Sequence, residues 1–357
     1  MFNDFYKNRS VFLTGHTGFK GAWLAAWLTR LGARVTGYAL PPAYENSLFD
    51  LLKISRDLNH IEGDVRDADR LSQAIREAKP EVVFHLAAQA LVREGYRDPK
   101  TTFDVNVGGS VNVLEAVRRV DCVRAVVFVT SDKCYENLEW DWGYRENDRL
   151  GGKDPYAASK ACAEIALRAY RESFFSGGDR GVNVASARAG NCIGGGDWAA
   201  DRIVPDCMRA LIAGKPITLR NPRSVRPWQH VLDPLAGYLL LGVKLCGDSA
   251  TEYCCGWNFG PDRRSYRTAR ELADEIVLRW GRGEIETRQD RTAPREHGLL
   301  FINWDKAFLR LGWAPVWSLE ESAAHTTQWY KSYAAGENMT DVTLDQLERF
   351  LGAWNKR

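Results

Sequence analysis

"SVFLTGHTGFKGAWLAAWLTRLGARVTGYAL" (residues 10–40) passes from a short apolar run, through three spaced glycines, to a helical pattern and back to an apolar run. Val11, Phe12 and Leu13 have the character of a buried strand. Gly15, Gly18 and Gly21 follow at G-x-x-G-x-x-G spacing. Leu24, Trp27, Leu28 and Leu31 then recur on one helical face, and Gly32 ends the helix. Arg34 to Leu40 forms a second strand. Strand, turn, helix and strand make one βαβ unit, and its glycines have a chemical reason. A Cβ at those positions would keep the backbone from a pyrophosphate lying at the helix N-terminus. Gly15, Thr17, Gly18, Phe19 and Gly21 are therefore candidate dinucleotide contacts, with Thr17 equally able to cap the helix. The second strand ends in "GYALPP", with Tyr38 and Ala39 where an acidic residue for a ribose hydroxyl would stand. No arginine follows to meet a 2′-phosphate, so these residues alone do not choose between NAD and NADP.

The same alternation continues outward. "HIEGDVRDADRLSQAIREA" (60–78) reads as a strand and a helix, with Asp64 either near an adenine amine or capping the helix, and Val65 beside it. "EVVFHLAAQ" (81–89) is a buried strand ending in the small-residue stretch Leu86, Ala87 and Ala88, suited to backbone lying against a cofactor. His85 within it is expected to be a core residue. Gln89 follows as a candidate substrate contact, and Asn106 is expected to start a helix that lines the site. The expected fold is α/β, a doubly wound parallel Rossmann sheet with a smaller, interleaved C-terminal substrate-binding lobe. Residues 1–190, with about 231–260 returning, would form the dinucleotide domain, and 191–230 with 261–357 the other lobe.

"VVFVTSDKCYEN" (126–137) then puts an acid and a base where a strand ends. Parallel strands of open α/β sheets aim their carboxyl ends at the ligand, so Thr130, Ser131, Asp132 and Lys133 are candidates for the site. Adjacent residues of a regular strand face opposite ways. Both charges can face one ligand only if the chain leaves strand geometry there. In "GGKDPYAASKACAEIALRAYRESFF" (151–175), Tyr156 and Lys160 stand four apart and share a helical face. A nearby ammonium and a cationic nicotinamide would favour the phenolate of Tyr156 and lower its pKa.

The chain of 357 residues carries 48 Lys+Arg against 46 Asp+Glu, a net charge of +2, which argues against nucleic-acid or membrane-surface partners. Its eight cysteines show no metal-type spacing, so no metal site is expected. The first ten residues lack a secretory apolar core and no apolar run is long enough to span a bilayer, which places the expected location in the cytoplasm. From about Gly190 the chain turns to glycine, proline and arginine loops. Arg202, Arg220 and Arg226 are candidate diphosphate donors there, since a guanidinium stays charged and presents a fork. Asn191 is a candidate phosphate or sugar contact, and Trp228 is expected to pack. Arg295, with Glu296, is a further candidate for the nucleotide. "HVLDPLAGYLLLGVKL" (230–245) reads as a helix returning to the sheet and "YCCGWNFGP" (253–261) as a late strand rejoining it. Helices near 268–280, 305–313 and 343–357 close the molecule.

These motifs resemble the extended short-chain dehydrogenase/reductase family: T-G-x-x-G-x-x-G, a Ser/Thr at a strand end, and Y-x-x-x-K. "TGHTGFKGAWL", "FHLAAQALVR", "TSDKCYEN", "EWDWGYRENDRLGGKDPYAASK", "ARAGNCIGGGDWA" and "RPWQHVLDPLAGYLLL" together resemble its nucleotide-sugar 4,6-dehydratases, and among them those acting on CDP-glucose. The likeness runs to about residue 335. It implies NAD as cofactor, CDP-glucose as substrate, and a homodimer joined through helices near 105–118 and 156–174. It also implies the reaction: Tyr156 takes the C4 hydroxyl proton as hydride leaves C4, with Lys160 on the nicotinamide ribose and Ser131 steadying the hydroxyl. A base then removes the C5 proton, an acid assists loss of the C6 hydroxyl, and hydride returns to C6. The resemblance makes Asp132 the acid. Lys133 stands where relatives carry a glutamate base, and is that base, a charged stabiliser of the enolate, or only a structural ion-pair partner of Asp132. A 4-epimerase or decarboxylase would need Tyr156 and Lys160 but no acid–base pair. A non-catalytic dinucleotide sensor would need neither residue.

Overall fold

The computed structural model describes residues 2, 4–175, 181–288 and 298–357. Seven strands form the central sheet: β1 (Ser10–Thr14), β2 (Arg34–Ala39), β3 (Asn59–Glu62), β4 (Val82–His85), β5 (Ala125–Val129), β6 (Asn183–Ala189) and β7 (Gly256–Phe259). Their order is β7-β6-β5-β4-β1-β2-β3, and every pairing is parallel. The sequence steps outward from β1 in both directions, so the chain reverses at β1/β4 and opens a crevice at the carboxyl ends there. This is the expected doubly wound α/β sheet.

The inner strands β1, β4 and β5 are largely apolar because both faces are covered, while the edge strand β3 (NHIE) is polar and part-exposed. Successive side chains alternate between two cores. Val11, Leu13, Val127 and Val129 face one that also holds Trp23, Leu24, Trp27 and Leu28 of the helix Phe19–Arg30 and Leu235 and Leu239 of the helix Leu232–Lys244. Phe12, Val126 and Phe128 face the other, with Leu71 and Ile75 of the helix Ala68–Ala78 and Val113 and Val117 of the helix Ser110–Arg118. Each fully buried side chain of this kind contributes roughly 1.5–3 kcal/mol.

The helix Leu232–Lys244 does return to the sheet, and Gly256–Phe259 pairs with β6 as the expected late strand. Between β6 and β7 the chain builds the helix Ile203–Ile212 and four short strand segments. Cys192–Ile193 pairs with Gln229–His230 within this stretch, while Val225–Pro227 pairs with Tyr266–Thr268 and Ile217–Leu219 with Ile285–Thr287 beyond β7. The helices Ala269–Trp280, Asp305–Leu311, Leu319–Ala334 and Met339–Trp354 complete the chain, the last starting earlier than its charged end suggests. Capping boxes at Thr268 and Ser318 fix two of these starts. His85 is a core residue, its ring 2.8 Å from the Thr14 hydroxyl. The eight cysteines are unpaired. Among the described residues no helix is long and apolar enough to cross a membrane, and no cluster of ligands could hold a metal.

Candidate active site

A cavity of about 510 Å³ opens at the carboxyl ends of β1, β4 and β5 and runs on toward the helix Ile203–Ile212. Its first wall is the glycine turn. Gly15 has φ +76°, and a Cβ on it would lie 2.7 Å from Ala87 N. A Cβ on Gly21 would lie 2.0 Å from Gly15 O, so that position admits only glycine without backbone movement. Gly18 is the N-cap of the helix and lines the cavity, presenting bare backbone where an anion is favoured. Thr17, Phe19, Asp64, Val65, Leu86, Ala87, Ala88 and Thr130 also line it, as the sequence suggested. The donor set and the missing Cβ atoms fit a dinucleotide pyrophosphate.

Two alternatives fall away here. Thr17 does not cap the helix; its hydroxyl donates to Leu40 O at 2.8 Å. Asp64 is not a cap either. The Asp67 carboxylate caps Ala68–Ala78, while Asp64 is paired with Arg66 at 2.6 Å, which holds its carboxyl below the usual range.

The catalytic candidates come from β5 and the helix Pro155–Tyr170. After Val129 the strand stops, and Asp132–Cys134 forms one turn of 3₁₀ helix whose N-cap is Ser131. The turn rotates successive side chains by about 120° instead of 180°, and Asp132 and Lys133 both line the cavity with Ser131, Tyr156 and Lys160. The Ser131 hydroxyl donates to Asp132 Oδ1 at 2.9 Å and accepts from the Lys133 N–H at 3.2 Å. Lys133 Nζ stands 5.8 Å from the Tyr156 ring centre. Lys133 also bounds a second, smaller cavity beside Tyr96, Tyr135 and Asn137.

Asp132 is buried, and its Oδ2 has no hydrogen-bond partner among the described residues. Burial pushes its carboxyl above the usual carboxylate value, with Lys133 and the Ser131 hydroxyl opposing. That is the environment of a carboxylic acid able to donate. Burial lowers Lys160 to about 8, helped by the Lys20 ammonium and opposed by Glu164. For Tyr156 the expectation of a lowered pKa does not hold in the chain by itself. Burial raises the phenol, and its hydrogen bond with Ser131 offsets this only in part. A cationic cofactor is needed to reverse the balance.

A buried network holds this geometry. Glu164, two helical turns after Tyr156, accepts from the Thr130 hydroxyl at 2.5 Å and the Ser186 hydroxyl at 2.8 Å. The Arg188 fork donates to both of its oxygens, at 2.9 and 2.7 Å. Burial alone would raise this carboxyl, but Arg188 outweighs it and holds it low. Arg188 also donates to the Tyr135 hydroxyl, so the turn, β6 and the catalytic helix are tied at one point.

Asn191, Arg202, Arg220 and Arg226 all line the cavity. Arg202 pairs with Asp197 at 3.0 Å, Arg220 lies between Asp201 and Asp206, and Arg226 donates to the carbonyls of Val225 and Gly298. Trp228 packs as expected, donating to Arg267 O. Gln89 and Asn106 do not line the cavity. Gln89 donates to the Thr102 hydroxyl and accepts from Leu91 N–H. Asn106 lies inside a continuous helical run (99–118), not at its start, and its amide bridges Gln89 and the Ser159 hydroxyl. Both are spent on shaping the loop after β4. Arg295 and Glu296 lie outside the described residues.

The sequence reading missed Lys20, Arg93, Asp197, Asp201 and Asp206, which line the cavity. Lys20 had a visible signal: it is a cation in the otherwise apolar start "GFKGAWLAAWL". It reaches the Tyr238 hydroxyl at 3.4 Å and acts as a positive charge on both Asp132 and Lys160.

Residues 12–326 match the sequence profile described as GDP-mannose 4,6 dehydratase. The chain is 44% identical over 353 residues to the CDP-glucose 4,6-dehydratase of Salmonella typhimurium, covering 98% of each. It is 25% identical to a dTDP-glucose 4,6-dehydratase of Xanthomonas campestris, over 89% of this chain and 92% of the relative. Among solved structures, the UDP-glucose 4-epimerase of Thermus thermophilus with NAD superposes with a TM-score of 0.76 at 25% identity, over 90% of this chain and 98% of that one. The dTDP-glucose 4,6-dehydratase of Streptomyces venezuelae, with NAD bound, gives 0.78 at 23% identity, over 92% and 98%.

Proposed function

Because this chain belongs to the GDP-mannose 4,6-dehydratase family of extended short-chain dehydrogenases/reductases, we propose that it is a hydro-lyase converting CDP-D-glucose to CDP-4-keto-6-deoxy-D-glucose. The observation that carries this is the 3₁₀ turn that brings Asp132 and Lys133 to one cavity with Ser131, Tyr156 and Lys160. An epimerase or decarboxylase would use the last three and has no task for the first two.

The cofactor is NAD, which when bound supplies the acceptor and later the donor of the hydride that passes from C4 to C6. Gly15, Gly18 and Gly21 hold its pyrophosphate against the helix N-terminus. Tyr156 removes the O4 proton, Ser131 orients that hydroxyl, and Lys160 keeps positive charge beside the phenolate and holds the ribose. Once C4 is a ketone, the C5 proton is acidic and Lys133 is placed to take it or to stabilise the enolate. Asp132, whose protonated form burial favours, gives its proton to the departing C6 hydroxyl. Arg226 and Arg202, with Asn191, hold the diphosphate. We assign residues 1–190 with 231–260 to the dinucleotide lobe and the remainder to the nucleotide sugar. We further propose a cytoplasmic homodimer. The exposed Ile165 and Phe174, on and just after the helix carrying Tyr156, support a contact there.

Mass spectrometry of CDP-, UDP-, dTDP- and GDP-glucose incubated with protein and NAD tests the function. Loss of one water from CDP-glucose is expected, and unchanged mass in every tube overturns the reading.

A further inference from the structure

We propose that the Asp206–Arg220 pair reads the base of the nucleotide sugar and selects cytosine over uracil and thymine. The proposal rests on the nucleotide-sugar reading above and deepens it. The glycine turn, Asp64 and Val65 occupy one end of the cavity, and Asp132 and Tyr156 its middle. The remaining end belongs to Pro205 and Asp206, the strand Ile217–Leu219, and Arg220. With the glucosyl group at Tyr156, the nucleoside must extend into that end. Pro205, Ile217 and Leu219 give it apolar walls suited to the faces of a ring, the last two almost fully buried.

The polar groups there have an order. Arg220 Nη1 is bonded to Asp201, and Arg220 Nη2 lies 3.5 Å from Asp206 Oδ2. Asp206 Oδ1 accepts from Arg209. Burial raises the Asp206 carboxyl and the two arginines oppose that, and its side chain lines the cavity while still about one-third exposed, open to a ligand's donor. A diphosphate placed at Arg220 would sit beside two carboxylates, which excludes Arg220 from the clamp that Arg226 can form. A base edge has no such conflict. A carboxylate only accepts and a guanidinium only donates. Cytosine offers a donor at its 4-amino group beside acceptors at N3 and O2, matching Asp206 next to Arg220, and a carboxylate is a known fit to that amino group. Uracil and thymine offer the reverse, an acceptor at O4 beside the N3–H donor, and would set oxygen against the carboxylate.

The experiment is titration calorimetry of the NAD-loaded protein with CDP and UDP, for the wild type and Asp206→Asn. The wild type is expected to favour CDP by about 100-fold or more, as for a site built on hydrogen bonds that the wrong ligand leaves unpaired. Asp206→Asn is expected to bring that ratio below about 10-fold. CDP bearing an N4,N4-dimethylated cytosine has no amino proton and is expected to bind the wild type as weakly as UDP, which tests the contact without altering the protein. Undiminished discrimination in Asp206→Asn, or dimethylated CDP binding like CDP, overturns the assignment and leaves the proposed function standing. Wild type that binds no nucleoside diphosphate overturns both.

Discussion

Asp132 pays for its chemistry in stability, because a carboxyl suited to donate at neutral pH is one whose ionised form the fold disfavours. Its folded pKa lies above the unfolded value, so its contribution to stability is full below the unfolded pKa and is lost as pH rises through the folded one. Asp132→Asn, uncharged at all pH, is expected to raise the midpoint of thermal unfolding at pH 8 while product formation falls about 100- to 10,000-fold. Scanning calorimetry and the mass assay read the two effects separately. Lys133→Met is expected to leave oxidation at C4 intact and to block the elimination of water. Reduced cofactor absorbance should then accumulate on the protein when CDP-glucose is added, without release of product. Normal turnover in that variant would remove Lys133 from the chemistry. Tyr156, Lys160 and the Ser131–Lys133 run were legible because each depends on neighbours within four residues. Gln89 and Asn106 were not: a primary amide serves a ligand or a backbone equally well, and their mutual bonds cross seventeen positions of sequence. The acidic residues facing the arginines were missed for the same reason, since Arg93, Asp201 and Arg220 meet only in the folded chain.

The 3₁₀ turn, β6 and the helix Pro155–Tyr170 are separate elements that meet at Glu164 and Arg188. Removing one partner of a buried ion pair leaves the other charge uncompensated and costs about 3–5 kcal/mol. Glu164→Gln is expected to lose stability on that scale in urea unfolding at pH 7, with activity falling further than the folded fraction because Thr130 loses its anchor beside Ser131. Gly21→Ala tests the first turn. Its methyl would meet Gly15 O, so the turn must open, and NAD binding measured by calorimetry is expected to weaken by about 100-fold or more, some 2.7 kcal/mol. The βαβ unit itself was plain from residues 10–40, because the change from strand to helical period and the glycine spacing are local. The strand end at Val129 was also plain. The kind of turn that succeeds it was not, since the 3₁₀ geometry is settled by Ser131 capping and by the tie through Thr130 to Glu164.

At the scale of the molecule, the helix Leu232–Lys244 joins the sheet to the final helices, and Asp233 in its first turn is the joint. Its Oδ1 accepts from Val316 N–H, its backbone carbonyl accepts from the Trp313 indole, and burial raises its carboxyl to about 7. The raised value means that this joint stabilises the fold at acidic pH and does so less as pH climbs through about 7. Asp233→Asn is expected to flatten the fall in thermal stability between about pH 5 and 8, as measured by circular dichroism. The parallel α/β sheet was foreseeable from the alternation of periods, whereas the pairing of short strands from either side of β7 was not, since three-residue strands carry no period. The late arrival of β7 has a consequence for how the protein is made. β6 ends at Ala189 and its partner begins at Gly256, so on a ribosome the edge of β6 waits for the chain between them. At about 5–20 residues per second that interval is roughly 3–13 s. An unpaired strand edge is a template for other chains, so nascent chains stalled before residue 256 are the aggregation-prone species, and slowed translation of that stretch lowers yield more than slowing elsewhere.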